Sequence, residues 1–154
     1  MNIAPTPEQK LLIVENAVWV AKQVGIANPN VAAISAVEKV NPKMPSSVDA
    51  DWLKNQPHKG YNLSGPFAID NVASAEAAQH KGITDPVALN PDILLFPDIV
   101  SGNVFYKTSV FFGHGLTAGC IIGATVPIIL TSRADSAETK FNSILFGVLL
   151  NSHE

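Results

Sequence analysis

Short apolar runs that alternate with helix-like segments are the feature that most constrains the fold of this chain. "VAAISAV" at 31–37 and "DILLFPD" at 92–98 are largely apolar runs of strand length, and "YNLSG" at 61–65 indicates another strand. Strands with such runs are typical of a parallel sheet, because helices cover both of its faces. We predict two further strands, near Cys120–Gly123 and near Ile128–Thr131.

Helix signals separate these strands. Thr6–Gln9 combines a capping box with proline at the first helical position, which predicts a helix from about Pro7 to Val24. The other predicted helices are 48–54 after Ser46, 75–81 after Ser74, 102–112 opened by Gly102, and 136–150. The stretch at 83–92 is predicted to be a surface loop. This alternation predicts one α/β domain over residues 1–154, a three-layer α/β/α fold with a mostly parallel sheet.

Composition narrows the functional classes. The net charge is −3 and lysine and arginine do not cluster, which argues against nucleic acid as a partner. Cys120 is the only cysteine, so we expect no intrachain disulfide, no thiolate zinc cluster, and a core thiol in a reducing cytoplasm. A nucleophilic pair of Cys120 and His114 is disfavoured, because no orienting acid lies near in sequence. The opening "MNIAPTPEQK" lacks a signal-peptide pattern, and glycines and Pro127 interrupt the charge-free stretch at 108–132, so no membrane span is predicted.

Polar residues follow three of the predicted strands, where a parallel sheet binds its ligands. The three clusters are Ser64–Asp70, Asp98 with the following "SGNVFYK", and Thr131–Asp135. Gly102 and Asn103 are predicted to open a helix whose free N–H groups favour an anion, with Lys107 one turn further along. Arg133 adds a planar guanidinium that suits phosphate or carboxylate. The pattern indicates an anionic substrate that carries phosphate.

These residues also have plainer interpretations. Asp98 is typical of a turn or a helix cap, and Ser136 with Glu138 could simply cap the last helix. Arg133 could form a surface ion pair, which contributes little to stability. No glycine-rich nucleotide fingerprint and no Walker loop occur in the sequence.

Three segments indicate the class of protein: "SGPFAIDNVASAEAAQHKGI", "DILLFPDIVSGNVFYK" and "GATVPIILTSRADSAETK". Together, and in this order, they resemble the phosphate acetyl/butyryltransferase family. The resemblance covers nearly the whole chain but only the C-terminal half of family members. It implies an isocitrate/isopropylmalate dehydrogenase-like fold and reversible transfer of a short acyl group between CoA and phosphate. It further implies no metal and no bound cofactor, with acyl-CoA, phosphate and acyl phosphate as small-molecule substrates.

The resemblance also implies roles for individual residues. Ser132 and Arg133 match the family's Ser-Arg pair beside the acyl phosphate, and Asn103 and Lys107 match its substrate-side segment. Asp70 falls in the family's Gly-Pro-x-x-x-Asp segment near the cleft. The predicted substrate-binding set is completed by the strand-end residues Asp98, Gly102 and Thr131.

The base that would act on CoA is left open. In the family's acetyl branch a carboxylate lies seven residues after the serine, but Thr139 occupies that position here. Asp135 and Glu138 are therefore candidate catalytic residues, unless this branch uses another base. Arg133 is the only arginine of the chain, and the family's N-terminal half supplies more. A non-catalytic remnant that binds CoA or acyl phosphate, or only assembles, is the alternative.

The last predicted helix indicates a partner. "FNSILFGVLLN" carries Phe141, Leu145, Val148 and Leu149 on one face, with further apolar side chains beside them. A helix that is apolar most of the way round is normally buried. We therefore predict a homo-oligomer, or association with a missing N-terminal half.

Overall fold

The computed structural model describes residues 2–151, which form two compact units, residues 2–99 and residues 100–151. The first unit contains a parallel sheet and its covering helices, and the second contains two helices and the segment between them. The expectation that residues 1–154 form one domain stays a prediction.

The sheet of the first unit has three strands, all parallel. They are β1 Asn30–Ile34, β2 Asn62–Phe67 and β3 Ile93–Leu95, in the spatial order β2-β1-β3. Val31 lies opposite both Leu63 and Ile93, which sets the register. At Gly65 the φ angle is +154°, and a Cβ there would lie 2.7 Å from the Ala33 carbonyl oxygen, so glycine lets the two strands approach.

Five helices accompany this sheet: α1 Pro7–Gln23, α2 Pro45–Lys54, α3 Ile69–Ala73, α4 Ala75–His80 and α5 Pro86–Leu89. The predicted capping box of α1 is confirmed: the Gln9 N–H donates to Thr6 Oγ1 at 3.3 Å, and the Thr6 N–H donates to Gln9 Oε1 at 3.0 Å. Ser74 caps α4 as predicted, because its hydroxyl accepts from the Ala77 N–H at 3.2 Å.

Two local predictions in this unit are wrong. Ser46 does not cap α2: the helix begins at Pro45 after Met44, and the Ser46 hydroxyl lies 2.9 Å from the Ser35 hydroxyl. The stretch at 83–92 is not simply a surface loop, because it contains α5, whose Val87 and Ala88 are buried. A helix of one turn is too short to leave a periodic apolar pattern in the sequence.

The sheet is covered on both faces. Val31 and Ala33 pack in a core cluster with side chains from α1 and α2, whereas Ala32 and Ile34 pack with residues that include Val87 of α5. Successive residues of a strand point to opposite faces, so β1 contributes to two cores. Helices on both faces of a parallel sheet define the predicted three-layer α/β arrangement.

The second unit is built around α6 Ile99–Phe111 and α7 Ala137–Asn151. Between these helices, the described residues form one isolated antiparallel bridge, Ile121 opposite Ile128. The two strands predicted here are therefore wrong: glycines and Pro127 confine each apolar run to a few residues, too few for a ladder. No described helix is both long and apolar enough to cross a membrane.

Helix α7 buries a face of mostly small residues and exposes most of its large apolar ones. The buried face consists of Thr139, Ser143, Gly147 and Leu150. Phe141, Ile144 and Val148, by contrast, are 60%, 54% and 62% exposed. The predicted apolar face of this helix is thus uncovered in the described chain.

Candidate active site

A tight turn at Ser132–Asp135 forms the centre of the candidate site. The Asp135 N–H donates to the Ser132 carbonyl at 3.1 Å, and the Ser132 N–H donates to Asp135 Oδ2 at 2.7 Å. The Ala134 N–H donates to Ser132 Oγ at 3.3 Å. Serine and aspartate favour such turns because their short side chains bond to nearby backbone groups. The turn is therefore closed both through its backbone and through the Asp135 carboxylate.

Two neighbouring residues of α6 hold this turn. Tyr106 Oη donates to Asp135 Oδ1 at 3.1 Å, and Lys107 Nζ donates to Ser132 Oγ at 3.3 Å. The Lys107 ammonium also lies 4.9 Å from the centre of the Tyr106 ring and 5.8 Å from that of Phe111, within the range of cation–π attraction. Lys107, Ser132 and Asp135, all predicted as site residues, are thus brought together.

The Ser132 hydroxyl is left with one unused hydrogen-bonding function. Its oxygen accepts from Lys107 Nζ and from the Ala134 N–H. A hydroxyl has two acceptor lone pairs and one O–H donor. The O–H of Ser132 is therefore available to donate to a ligand oxygen.

Arg133 is exposed and makes no hydrogen bond or ion pair with any residue that the structure describes. The alternative interpretation as a surface ion pair has no partner within residues 2–151. An unpaired guanidinium next to Ser132 can donate hydrogen bonds to two oxygens of one phosphate or carboxylate. Thr131, the residue before the turn, is half-buried.

Ser136 and Glu138 lie at the start of α7 and differ in their contacts. The Ser136 hydroxyl accepts from the Thr139 N–H at 3.1 Å, so Ser136 caps the helix. Thr139 is buried, which suits a hydroxyl better than a carboxylate at that position. Glu138 lies exposed in the first turn, without a hydrogen bond to a described residue. Both oxygens of Asp135, in contrast, already accept a hydrogen bond.

Gly102 and Asn103 do not open α6. The helix begins at Ile99, so both residues lie about one turn inside it, and the free N–H groups belong to the residues before them. The prediction of an anion site on their backbone is wrong, because the helix starts directly after the strand-end segment. Asn103 is exposed and lies four residues before Lys107, so the two share a helix face.

Asp70 and Asp98 belong to the first unit. Asp70 Oδ2 accepts from Lys81 Nζ at 2.8 Å, and the same ammonium donates to Glu38 Oε1 at 2.6 Å. The hydrogen bond from Lys81 lowers the pKa of Asp70 and that of Glu38. Asp98 is half-buried and directly precedes α6. Asp70 therefore has a structural ion pair beside its predicted substrate role.

Tyr106 is the residue that the sequence analysis missed. Burial raises the pKa of its hydroxyl, the Thr117 side chain lowers it, and the hydrogen bond and negative charge of Asp135 raise it; the net shift is upward, so the hydroxyl stays protonated and donates. Its position in "SGNVFYK", next to Lys107 and three residues after Asn103, could have indicated Tyr106 as a site residue.

Cys120 is half-buried rather than a core residue, and burial raises the pKa of its thiol. A protonated thiol is a poor nucleophile, which agrees with the low weight given to a pair with His114. Among residues 2–151, no group of three or more His, Cys, Asp or Glu side chains is arranged to hold a metal ion.

Fold and site together define an α/β protein whose second unit presents an arginine, a lysine and a serine hydroxyl, a set suited to an oxyanion such as phosphate. The family model described as phosphate acetyl/butaryl transferase matches residues 1–148, and the chain belongs to that family.

Named relatives agree with this assignment. A phosphate acetyltransferase of Thermotoga maritima is 49% identical over 148 residues, which are 94% of this chain and 50% of that protein. A phosphate butyryltransferase of Clostridium acetobutylicum is 47% identical over 153 residues, which are 97% of this chain and 51% of that protein. Among solved structures, a branched-chain phosphotransacylase of Enterococcus faecalis superposes with a TM-score of 0.92 at 42% identity, covering 100% of this chain and 56% of that one. The chain thus spans about half the length of the curated relatives it matches, and the matching region is C-terminal in the larger proteins.

Proposed function

We propose that this chain contributes one wall of a phosphate acyltransferase site, which transfers a short acyl group reversibly between CoA and phosphate. The observation that carries the proposal is the Ser132–Arg133 turn: a hydroxyl with a free O–H, an ammonium bonded to that hydroxyl, and an unpaired guanidinium. Acyl-CoA, phosphate and acyl phosphate are the proposed substrates.

In the proposed reaction the CoA thiolate attacks the carbonyl carbon of the acyl phosphate. A C–S bond forms, the bond from the carbonyl carbon to the phosphate oxygen breaks, and phosphate leaves with the electron pair. Arg133 and Lys107 offset the negative charge of the phosphoryl group, and the Ser132 O–H donates to an oxygen on which charge develops. Water-exposed Asn103 would contact the substrate from the Lys107 face.

The thiol proton must go to a base before the attack, because the thiolate is the nucleophile. Glu138 suits this role better than Asp135, since its exposed carboxylate has no hydrogen bond to a described residue. If Asp135 took the proton, one of the bonds that close the turn would weaken. No metal and no bound cofactor enters this scheme, and the proposed compartment is the cytoplasm.

The described residues supply only part of the charge that the proposed site needs. Arg133 and Lys107 supply two positive charges, whereas negative charge develops in the reaction both on the leaving phosphate and on the carbonyl oxygen that is attacked. We propose that residues corresponding to the other half of the relatives, or a second copy of this chain, provide the other wall. The alternative is a non-catalytic chain that binds CoA or acyl phosphate, or only assembles.

Titration with inorganic phosphate tests the site itself. Amide NMR shifts should move at residues 131–135 of the wild type, and Arg133→Ala should abolish most of this response. Lys140→Ala is the matched control, because it removes one exposed positive charge from the same unit outside the turn. Equal phosphate affinities in the wild type and Arg133→Ala would reject the site, and a loss in Lys140→Ala would indicate unspecific charge attraction.

A further inference from the structure

We infer that Tyr106 is a positioning residue for the Ser132–Arg133 turn: its hydroxyl holds the Asp135 carboxylate, and that carboxylate holds the turn. The inference rests on the proposed function in one respect, namely that the turn binds phosphate. It assigns Asp135 to orienting the turn rather than to removing the thiol proton.

Each oxygen of Asp135 has a different partner. Oδ1 accepts from Tyr106 Oη at 3.1 Å, and Oδ2 accepts from the Ser132 N–H at 2.7 Å. Rotation of the carboxylate would break at least one of these bonds. Hydrogen bonds to an ionised carboxylate are about twice as strong as neutral ones. Tyr106 therefore restrains the carboxylate that closes the turn.

Helix α6 contacts the turn at both ends. Tyr106 reaches the Asp135 end, and the next residue, Lys107, reaches the Ser132 hydroxyl at 3.3 Å. Arg133 lies between these two ends and has no side-chain partner of its own among the described residues. The position of its Cα, and so the region that its guanidinium can reach, consequently depends on the turn backbone and on the bond from Tyr106.

Tyr106→Phe isolates this contact, because it removes one hydroxyl and keeps the ring beside the Lys107 ammonium. The matched control is Tyr61→Phe. Tyr61 is the other tyrosine of the chain, it is buried in the first unit, and its hydroxyl also has a partner, His58 Nδ1 at 3.0 Å. Both variants lose a hydroxyl bond, but only one loses a bond to the turn.

Phosphate affinity is the first readout. Loss of one hydrogen bond that positions a binding group corresponds to a roughly three- to tenfold weaker affinity. We expect this loss for Tyr106→Phe and not for Tyr61→Phe. The Tyr106→Phe, Asp135→Ala double variant should bind no more weakly than Asp135→Ala alone, because Tyr106 acts through Asp135. Additive losses in the double variant would contradict the inference.

The Ser132 amide is the second readout, and it does not depend on phosphate. In Tyr106→Phe its chemical shift and its hydrogen exchange should change without ligand, whereas Tyr61→Phe should leave both unchanged. An unchanged Ser132 amide in Tyr106→Phe would overturn the inference. If the wild type binds no phosphate, the proposed function fails, and this amide still decides whether Tyr106 positions the turn.

Discussion

Lys81 and Arg133 show two different uses of a positive charge. Lys81 is held by two carboxylates, Asp70 and Glu38, which belong to segments far apart in sequence. Arg133 has no such partner within the described residues and remains available to a ligand. At the residue scale, the chain thus uses one cation to join segments of the first unit and leaves another free.

The Lys81 ion pairs should make stability depend on pH. Lys81 lowers the pKa of Asp70 and Glu38 from ordinary values of 3.8 and 4.5. A lowered carboxyl pKa stabilises the fold above the ordinary value, and this stabilisation is lost as the pH falls through the lowered value. Lys81→Gln should therefore lower the urea midpoint at about pH 7, and this deficit should shrink at about pH 2, because the stabilisation is lost as the pH falls through the lowered pKa values.

Urea denaturation of Lys81→Gln beside Lys39→Gln makes this comparison direct. Lys39 is an exposed lysine without an ion pair to a described residue, so its substitution should change the midpoint little at either pH. The pairs are exposed, so the effect at neutral pH should be small. A deficit of Lys81→Gln that is the same at both pH values would contradict the expectation.

At the scale of elements, the packing of α7 against the connecting segment depends on Gly147. A Cβ at Gly147 would lie 2.2 Å from Ile129 Cδ1, which means that the segment before the turn packs directly on this helix. Ser143 fixes the same face, since its hydroxyl accepts from the Gly119 N–H at 3.1 Å. Small residues therefore bring the connecting segment close to α7, and most of its large apolar residues are exposed.

The change in stability caused by Gly147→Ala should have the opposite sign to the change that helix propensity alone predicts. Alanine in a helix interior is about 1 kcal/mol more favourable than glycine. Here the added methyl group would displace Ile129, so we expect a loss of stability, measured as a lower thermal midpoint. In an Ile129→Val background, which lacks Cδ1, the substitution should stabilise.

Gly119→Ala is the control for this substitution, because no atom lies within 4 Å of a Cβ at that position. It should change the thermal midpoint little. If Gly147→Ala stabilised the protein while Ile129 is present, the expected clash between the added methyl group and Ile129 would be contradicted.

The exposed face of α7 predicts self-association. Phe141 and Leu145 are 60% and 51% exposed, and each large apolar side chain left in water forgoes roughly 1.5–3 kcal/mol of burial. We expect a dimer or higher oligomer by light scattering, and a smaller species for Phe141→Lys, Leu145→Lys. Leu12→Lys is the control, because Leu12 is 60% exposed on α1. A monomeric wild type would exclude the proposal.

At the scale of the whole molecule, the chain matches about half the length of each of these relatives. We expect acyl transfer by this chain alone to be slow, because the loss of one preorganised stabiliser already costs about 10²–10³ in rate. A thiol-release assay with acetyl-CoA or butyryl-CoA and phosphate measures this. Addition of a separately expressed N-terminal half of a relative should raise the rate, and a rate typical of enzymes without it would refute the expectation.

Features that depend on neighbouring residues could be predicted from the sequence. The cap at Thr6 joins residues three apart, and so does the cap at Ser74. The apolar runs of β1 and β3 predicted a parallel sheet covered on both faces, because burial of a strand on two sides leaves a continuous apolar pattern. The Ser132–Arg133 pair was predicted as part of a site from its place after an apolar run and from the resemblance to the family, and that site stays a prediction.

Contacts between distant segments required the tertiary structure. The bonds that hold the turn, Tyr106 to Asp135 and Lys107 to Ser132, span 29 and 25 residues, and no local pattern encodes such pairs. The strands predicted around Ile121 and Ile128 failed for a related reason, because a strand needs a neighbour to complete its backbone hydrogen bonds, and one bridge is all that the described segment provides. The sequence by itself therefore determined the sheet class and the helix caps at Thr6 and Ser74, whereas only the tertiary structure decided which side chains contact the Ser132–Asp135 turn, since those contacts depend on distances in space rather than along the chain.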